Sequence, residues 1–307
     1  MLTRRSTLAL LPGALLLPHA ARAAAVDLSP EQPGRVRGKP VPEAIALLPK
    51  DFAWVTPGKL TVAHSTGRLP FAAYATDTKT PVGTEPDVAQ LVADSLGLQL
   101  VSIPIAWADW PLGLVSRKYD AVLSNVTVTE ERKEKFDFST YRQDALGFYV
   151  PLSSPITAIA KPEDVAGLRV IVGSGTNQEQ IVLRWSEANQ AKGLKPTELQ
   201  YHDDDAVRVL ALQSGRADAY LGPNALAAFE AQRDGKTRLV GTFSGGWPQT
   251  AEIAVTTRKG SGLANPVTAA LNGQIKAGTY RQVLEKWSLL AEAIPESRTN
   301  PPGLPRK

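Results

Sequence analysis

One stretch of the chain, "SNVTVTEERKEKFDFST", combines small polar side chains with an arginine at a spacing that could bind an anion. Ser124, Asn125 and Thr127 come at the end of a predicted strand. Arg132 follows one turn into a helix that is predicted to begin at Thr129, because a threonine before acidic residues is typical of an N-cap. Hydroxyl groups and a guanidinium would then converge, and arginine can grip both oxygens of a carboxylate. From the residues alone, the alternative is a surface helix cap with a solvated arginine.

A second stretch, "VGSGTNQE", is predicted to be a strand end that leads directly into a helix. The free N–H groups at a helix N-terminus favour an anion. The stretch is not a nucleotide-binding loop of the P-loop type, because it has no G-x-x-x-x-G-K. It also lacks the last glycine of the Rossmann fingerprint.

Side chains for other chemistries are scarce. The chain contains no cysteine, which excludes thiol nucleophiles, disulfides and cysteine-ligated metals. Of the three histidines, only His64 falls near the predicted binding region, and a lone histidine is more often structural. Because metal-ligand spacing is also absent, the sequence predicts neither a metal nor a cofactor.

The elements that must position these residues alternate between strand and helix, from the strand "KLTVAHST" to the helix "TYRQVLEKWSLLAEA". This alternation predicts an α/β fold whose sheets are covered by helices on both faces. Two segments, "SRKYDAVLSN" and "QSGRADAYLG", share a helix end, an Asp-Ala pair and a strand that ends in small polar residues. Their similarity predicts two lobes of similar design, with ligands at the carboxyl ends of the strands.

Length and composition are those of a globular protein, with 307 residues, 43% apolar and 21% charged. The net charge is +4, and the first 25 residues carry Arg4, Arg5 and Arg22 without any acid. The remaining positive charge is therefore small, and no basic run is interleaved with aromatic residues. We expect no nucleic-acid partner.

The first 25 residues, "MLTRRSTLALLPGALLLPHAARAAA", are typical of an export signal, with a basic start, a short apolar stretch and small-residue cleavage sites. The Arg4–Arg5 pair favours the twin-arginine route over the general secretory route. Without a cysteine to carry a lipid anchor, we expect a soluble periplasmic protein. Residues 26–58 are predicted to be an extended segment with at most a short helix, and residues 292–307 a loose tail.

In order along the chain, these elements resemble the type 3 extracellular solute-binding proteins, the polar amino-acid receptors of ABC importers. The resemblance spans about residues 59–287 and is carried by "LTVAHSTGRLPFAAY", "VGTEPDVAQLVADSLG", "IAWADWPLGLVSRKYDAVLSNVTVTEERKEKFDFSTYR", "AGLRVIVGSGTNQE", "ALQSGRADAYL" and "IKAGTYRQVLEKWS". It implies a type II periplasmic-binding-protein fold, in which two α/β lobes joined by two crossovers close on a ligand. Lobe 1 would comprise residues 59–143 and 249–291, and lobe 2 residues 144–248.

The resemblance also implies a ligand site. Arg132 matches the arginine that grips the ligand carboxylate. The matching strand-end groups around the ligand are Ser124, Asn125 and Thr127. The matching contacts from lobe 2 are Gly173, Thr176 and Asn177. The matching pocket walls are Phe71 and Trp107.

The chain departs from the family where acids usually hold the ligand ammonium. Those positions are occupied here by residues 64–66 and by residues 222–224, and neither stretch contains an acid. Arg68 stands at a ligand-facing position where many members have a stacking aromatic. A buried ammonium without a carboxylate partner is costly. The sequence therefore favours a ligand that lacks a free α-amino group, or an acidic one.

The resulting hypothesis is a monomeric binding protein that captures a small carboxylate or amino acid and delivers it to an ABC permease in the inner membrane. The alternative is an enzyme on the same fold, similar to cyclohexadienyl dehydratase. That chemistry needs a general acid in the cleft, and the predicted cleft segments contain no pair of glutamate or histidine residues. A sensory module is a third possibility, but no fused output domain is present.

Overall fold

The structure is a computed structural model that describes residues 26–202 and 204–305. The predicted export signal in residues 1–25 lies outside the described residues, as does Asp203. The strands are β1 (Lys59–Ser65), β2 (Ala73–Tyr74), β3 (Pro81–Val82), β4 (Gln99–Ile105), β5 (Ala121–Val122), β6 (Phe136–Gln143), β7 (Ala145–Pro151), β8 (Arg169–Val172), β9 (Glu198–Tyr201), β10 (Ala219–Pro223), β11 (Thr237–Ser244) and β12 (Glu252–Arg258). The helices are α1 (Pro42–Ala46), α2 (Thr84–Ser95), α3 (Trp110–Val115), α4 (Asn177–Ala191), α5 (Asp205–Gln213), α6 (Asn224–Asp234), α7 (Ala264–Ala277) and α8 (Thr279–Lys286).

The strands form two five-stranded mixed sheets, together with a small β2–β3 pair. The first sheet has the order β4-β1-β5-β12-β6, and we call the part of the chain built on it lobe 1. The second has the order β11-β7-β10-β8-β9 and forms lobe 2. The chain passes between the sheets twice, at Asp144 between β6 and β7, and through residues 245–251 between β11 and β12. The expected two α/β lobes with two crossovers are therefore present.

Each sheet is covered on both faces, which explains why strands such as β1, β7 and β12 are buried along almost their whole length. In lobe 1, Leu60 and Val62 of β1 pack with α2, α7 and α8, whereas Ala63 points to a cluster on the opposite face that includes Trp110. Lobe 2 repeats this arrangement, with Phe148 and its neighbour Tyr149 in different clusters. Successive residues of a strand point to opposite faces, so each strand supplies two cores.

The segment before β1 lies against lobe 1. It contains the short helix α1, and its polar groups bind α2 and α7. Arg35 Nε donates to Asp87 (2.8 Å), Arg37 pairs with Asp94 (2.6 Å), and Gln274 Nε2 donates to Lys39 O (2.9 Å). These contacts hold an otherwise irregular segment in place.

The prediction of a loose tail requires correction for residues 292–305. This segment runs along β6, which is the edge strand of its sheet. Thr140 N donates to Arg298 O (3.1 Å) and Asn300 N donates to Phe138 O (2.9 Å). An edge strand presents unpaired backbone groups, and a proline-rich tail can bind them even though its composition gives it no regular structure of its own.

Replacing Asp87 by alanine should lower the free energy of unfolding by about 3 kcal/mol, because a fully buried carboxylate that joins three elements would be lost. Asp87 accepts hydrogen bonds from Arg35 Nε, Lys286 Nζ and Trp287 Nε1, all within 2.9 Å. Urea unfolding monitored by circular dichroism measures the change.

The matched control is Glu285→Ala, which removes an exposed i,i+4 pair with Arg281 (3.6 Å). Its cost should stay below about 0.5 kcal/mol. Equal effects of the two substitutions would contradict the anchoring role of Asp87.

Candidate ligand-binding site

Arg132 begins a single 3₁₀ turn, Arg132–Glu134, rather than the longer helix predicted from the sequence. Thr129 does act at its start, because its hydroxyl accepts a hydrogen bond from Arg132 N (3.1 Å). The turn ends early because the alternating residues from Phe136 onward pair with β12. The tight turn places the arginine next to the end of β5.

The guanidinium of Arg132 lies between the two lobes. Nη1 donates to Thr127 O (2.8 Å) in lobe 1, and Nη2 donates to Gly175 O (3.2 Å) in lobe 2. The rings of Trp107 and Trp110 both lie 5.8 Å from the guanidinium carbon. Burial lowers the pKa of Arg132 to about 10, with Glu131 and Asp144 acting in the opposite direction. The side chain is therefore a cation at neutral pH, held by carbonyl oxygens and aromatic faces.

A polar group joins the lobes beside Arg132. Thr127 Oγ1 lies 3.1 Å from Asn177 Oδ1 and 3.3 Å from Asp144 Oδ2. Asn177 Nδ2 donates to Asp144 Oδ2 (2.9 Å) and to Gly245 O (2.5 Å). The segment after β5 in lobe 1, the first residue of α4 in lobe 2 and both crossovers therefore meet at one place.

The other predicted contacts from lobe 2 act locally. Thr176 is the N-cap of α4, since its hydroxyl accepts from Glu179 N (3.3 Å) and donates to Gly173 O (2.6 Å). Only Asn177, which begins the helix, reaches lobe 1 with its side chain.

Ser124 and Asn125 face inward in lobe 1. Ser124 Oγ accepts a hydrogen bond from Ser65 N (2.7 Å), and Asn125 N donates to Glu85 Oε1 (3.2 Å). The Asn125 side chain accepts a hydrogen bond from Arg142. Asn125 also has a positive φ of 52°, which asparagine tolerates better than most residues. Both predicted contacts therefore support the strand end next to Thr127.

A buried charge cluster, which sequence reasoning missed, lies behind these residues. Arg142 is 1% exposed and binds Glu292, with Glu85 Oε1 at 3.7 Å. Its guanidinium carbon also lies 4.5 Å from the centre of the Phe71 ring, so this predicted pocket wall is buried against an arginine. Burial raises the pKa of Glu85 and of Glu292, and Arg142 opposes both shifts.

Arg68 does not provide a second unpaired cation. Its Nε lies 3.1 Å from Asp205 Oδ2, and its Nη1 lies 3.4 Å from the hydroxyl of Tyr220, both in lobe 2. A cavity of about 590 Å³ lies beside this ion pair, between residues 67–69 and the helices α5 and α6. Arg68, which the sequence placed at a ligand-facing position, is therefore already paired with an acid of lobe 2 and gives no support to an anionic ligand.

His64 is a structural residue. Its Nδ1–H donates to Leu123 O (3.1 Å), and its Nε2 accepts from Ser102 Oγ (3.3 Å) in the interior of the lobe 1 sheet. Burial lowers the pKa of His64 to about 4. Among the described residues, no group of histidine, aspartate and glutamate side chains is arranged to hold a metal ion. Nor does any helix in that part of the chain have the length and apolar character needed to cross a membrane.

Comparisons with known proteins agree on one family. The model for bacterial extracellular solute-binding proteins, family 3, matches residues 60–290. The L-cystine-binding protein TcyJ of Escherichia coli is 32% identical over 232 residues, which cover 75% of this chain and 82% of the relative. Cyclohexadienyl dehydratase of Pseudomonas aeruginosa is 26% identical over 243 residues, with coverages of 75% and 82%.

A solved structure of an ancestral arginine-binding protein bound to arginine is also similar. It superposes with a TM-score of 0.65 at 28% identity and covers 75% of this chain and 98% of that one. The sequence and structural matches therefore include proteins that bind amino acids.

The neutral state of His64 should make stability depend on pH. Between the ordinary pKa of 6.5 and the folded value of about 4, the unfolded chain binds a proton that the folded chain excludes. Stability contributed by His64 therefore falls as pH drops through this window, by about 3 kcal/mol in total. Urea unfolding across this range should show that loss in the wild type relative to His64→Gln, which removes the titrating group.

The carboxylates titrate in both the wild type and His64→Gln, so the difference between their free energies of unfolding isolates the contribution of the histidine. A difference that does not change with pH, or an NMR titration of His64 near its ordinary pKa, would contradict the assignment.

Proposed function

Because this chain belongs to the bacterial extracellular solute-binding proteins of family 3, we propose that it is the ligand-capturing component of an ABC importer and binds an amino acid between its lobes. Its architecture is the two-lobed type II periplasmic-binding fold. The observation that carries the proposal is the position of Arg132 between the lobes. Two of its N–H groups bind the carbonyls of Thr127 and Gly175, so a guanidinium with five donors retains others for a ligand carboxylate.

Ligand capture would occur by lobe closure. We place the lobe boundaries at residues 59–143 and 249–291 for lobe 1 and 144–248 for lobe 2. Rotation about Asp144 and residues 245–251 would separate Arg132 from Gly175 and Thr127 from Asn177. A ligand carboxylate would then enter between the arginine and the start of α4, and closure would bury it.

Location and partners follow from the same proposal. Residues 1–25 would direct export by the twin-arginine route, and the mature protein would act as a monomer in the periplasm. It would pass its ligand to the permease of an ABC importer in the inner membrane. The description of the family as extracellular supports this location.

A catalytic role remains the second candidate because cyclohexadienyl dehydratase is among the relatives. Burial raises the pKa of Asp144, and a carboxyl group with a raised pKa beside a cleft could serve as a general acid. However, the family model covers most of the chain, and L-cystine-binding TcyJ has the higher identity. We therefore favour binding.

Calorimetry with L-cystine, L-arginine, L-glutamine and simple dicarboxylates tests the proposal. At least one amino acid should bind, and it should raise the melting temperature in proportion to the logarithm of its concentration. Binding of no amino acid would overturn the proposal, and turnover of a cyclohexadienyl acid would support the catalytic alternative.

Replacing Arg132 by alanine should weaken amino-acid binding by about 2–5 kcal/mol, because a charge-assisted bidentate contact in a closed cleft is lost. Arg132→Lys should recover only part of this loss, since lysine keeps the charge but not the planar fork. The control is Lys133→Ala, because Lys133 binds Glu130 (3.0 Å) and Pro301 O (3.1 Å). Unchanged affinity in Arg132→Ala would contradict the role of this residue.

A further inference from the structure

Asp144 is a buried carboxylate with one unsatisfied oxygen. It is the only residue between β6 and β7, so it forms the whole of the first crossover, and it is 4% exposed. Its Oδ2 is bound by Asn177 and lies near Thr127, whereas its Oδ1 is buried without a hydrogen-bond partner in the part of the chain that the structure describes. A buried carboxylate oxygen without a donor is costly and points to a missing partner.

The missing partner would lie close to Arg132. Arg132 Nη1 binds the carbonyl of Thr127, and the hydroxyl of the same threonine lies 3.3 Å from Asp144 Oδ2. Thr127 therefore lies between the cation of Arg132 and the carboxylate of Asp144 at the junction of the lobes. The carboxylate and ammonium of an α-amino acid are attached to the same carbon, so both could be bound at such a pair.

The nearby charges leave room for a cation. The ionisable groups around the junction are the half-buried Arg132 and the buried Arg142, Glu85, Asp144 and Glu292, so the carboxyl groups outnumber the guanidiniums. Arg142 is already bound by Glu292 and by the side chain of Asn125. Within the described chain, no lysine or arginine lies within ion-pair distance of Asp144.

We propose that Asp144 receives the cationic nitrogen of the ligand whose carboxylate binds Arg132, and that the protein therefore selects solutes carrying both charges. This inference rests on the proposed function. It replaces the expectation of a ligand without an amino group, because an acid from the crossover takes the place of the acids absent from residues 64–66 and 222–224.

The position of Asp144 also couples recognition to closure. Closing the lobes brings Thr127 of lobe 1 against Asn177 beside Asp144 and removes the carboxylate from water, which costs free energy unless a cation arrives with it. A ligand with an ammonium group would therefore favour the closed state more than an otherwise identical carboxylate would.

Calorimetry with matched pairs tests this inference. Each pair consists of an amino acid and its analogue without the α-amino group, which leaves the analogue without any cationic nitrogen: L-cystine and dithiodipropionate, and L-glutamine and glutaramate. The wild type should prefer the amino acid of at least one pair by about 30-fold or more. Asp144→Asn should remove most of that preference by weakening the amino acid while changing the analogue less than about 3-fold, and Asp144→Glu should restore part of it.

The control is Asp218→Asn, which removes a carboxylate bound to Arg169 (2.7 Å) at the start of β8 and should leave the preference unchanged. Equal weakening of both pair members by Asp144→Asn would overturn the inference and leave Asp144 as a structural link between the lobes. Equal affinities in the wild type would overturn it without any variant while leaving carboxylate binding intact. If the wild type binds none of these probes, the proposed function fails as well.

Discussion

A desolvated guanidinium without a carboxylate partner is the feature on which the site depends. Arg132 is held by two carbonyl oxygens and two tryptophan rings, and no acidic side chain among the described residues lies within ion-pair distance of it. Neutral oxygens compensate the desolvation of a half-buried cation such as Arg132 only in part. An anion that enters between the lobes would supply the rest, so the free energy of binding and that of lobe closure are linked through this side chain.

The fold makes this coupling possible because it brings residues from three separate elements together at the junction of the lobes. The segment that follows β5 supplies Thr127, the N-terminus of α4 supplies Asn177, and the crossover supplies Asp144. Thr127 lies outside a strand, but backbone hydrogen bonds from Ala254 N to Val126 O (3.0 Å) and from Val128 N to Glu252 O (2.9 Å) fix it against β12 of the lobe 1 sheet. The polar groups at the junction remain in place because Glu292, at the start of the C-terminal segment, binds Arg142 behind them.

The sequence was sufficient for features that local pattern determines. Apolar alternation located the strands and helices, and the Thr129 cap located Arg132 at the junction. It was not sufficient for the buried charge cluster, because Arg142 and Glu292 are 150 residues apart and neither has a local motif. The sequence did offer one signal, the charged residues Arg142 and Asp144 in the otherwise mostly uncharged stretch "STYRQDALGF". Ionised residues in such a stretch need buried partners, so this pattern could have indicated a charge cluster. The tail was misjudged for a similar reason, because its order comes from the edge of β6.

Small-angle X-ray scattering of the protein with and without a saturating amino acid, with binding confirmed by calorimetry, tests the central claim most directly. Closure on a ligand bound by Arg132 predicts that the radius of gyration falls on addition of the ligand. The profile of the complex should match the structure described here, in which Arg132 and Asn177 join the lobes. Arg132→Ala should show no such change at the same concentration. Identical profiles of the free and fully bound wild type would contradict the account.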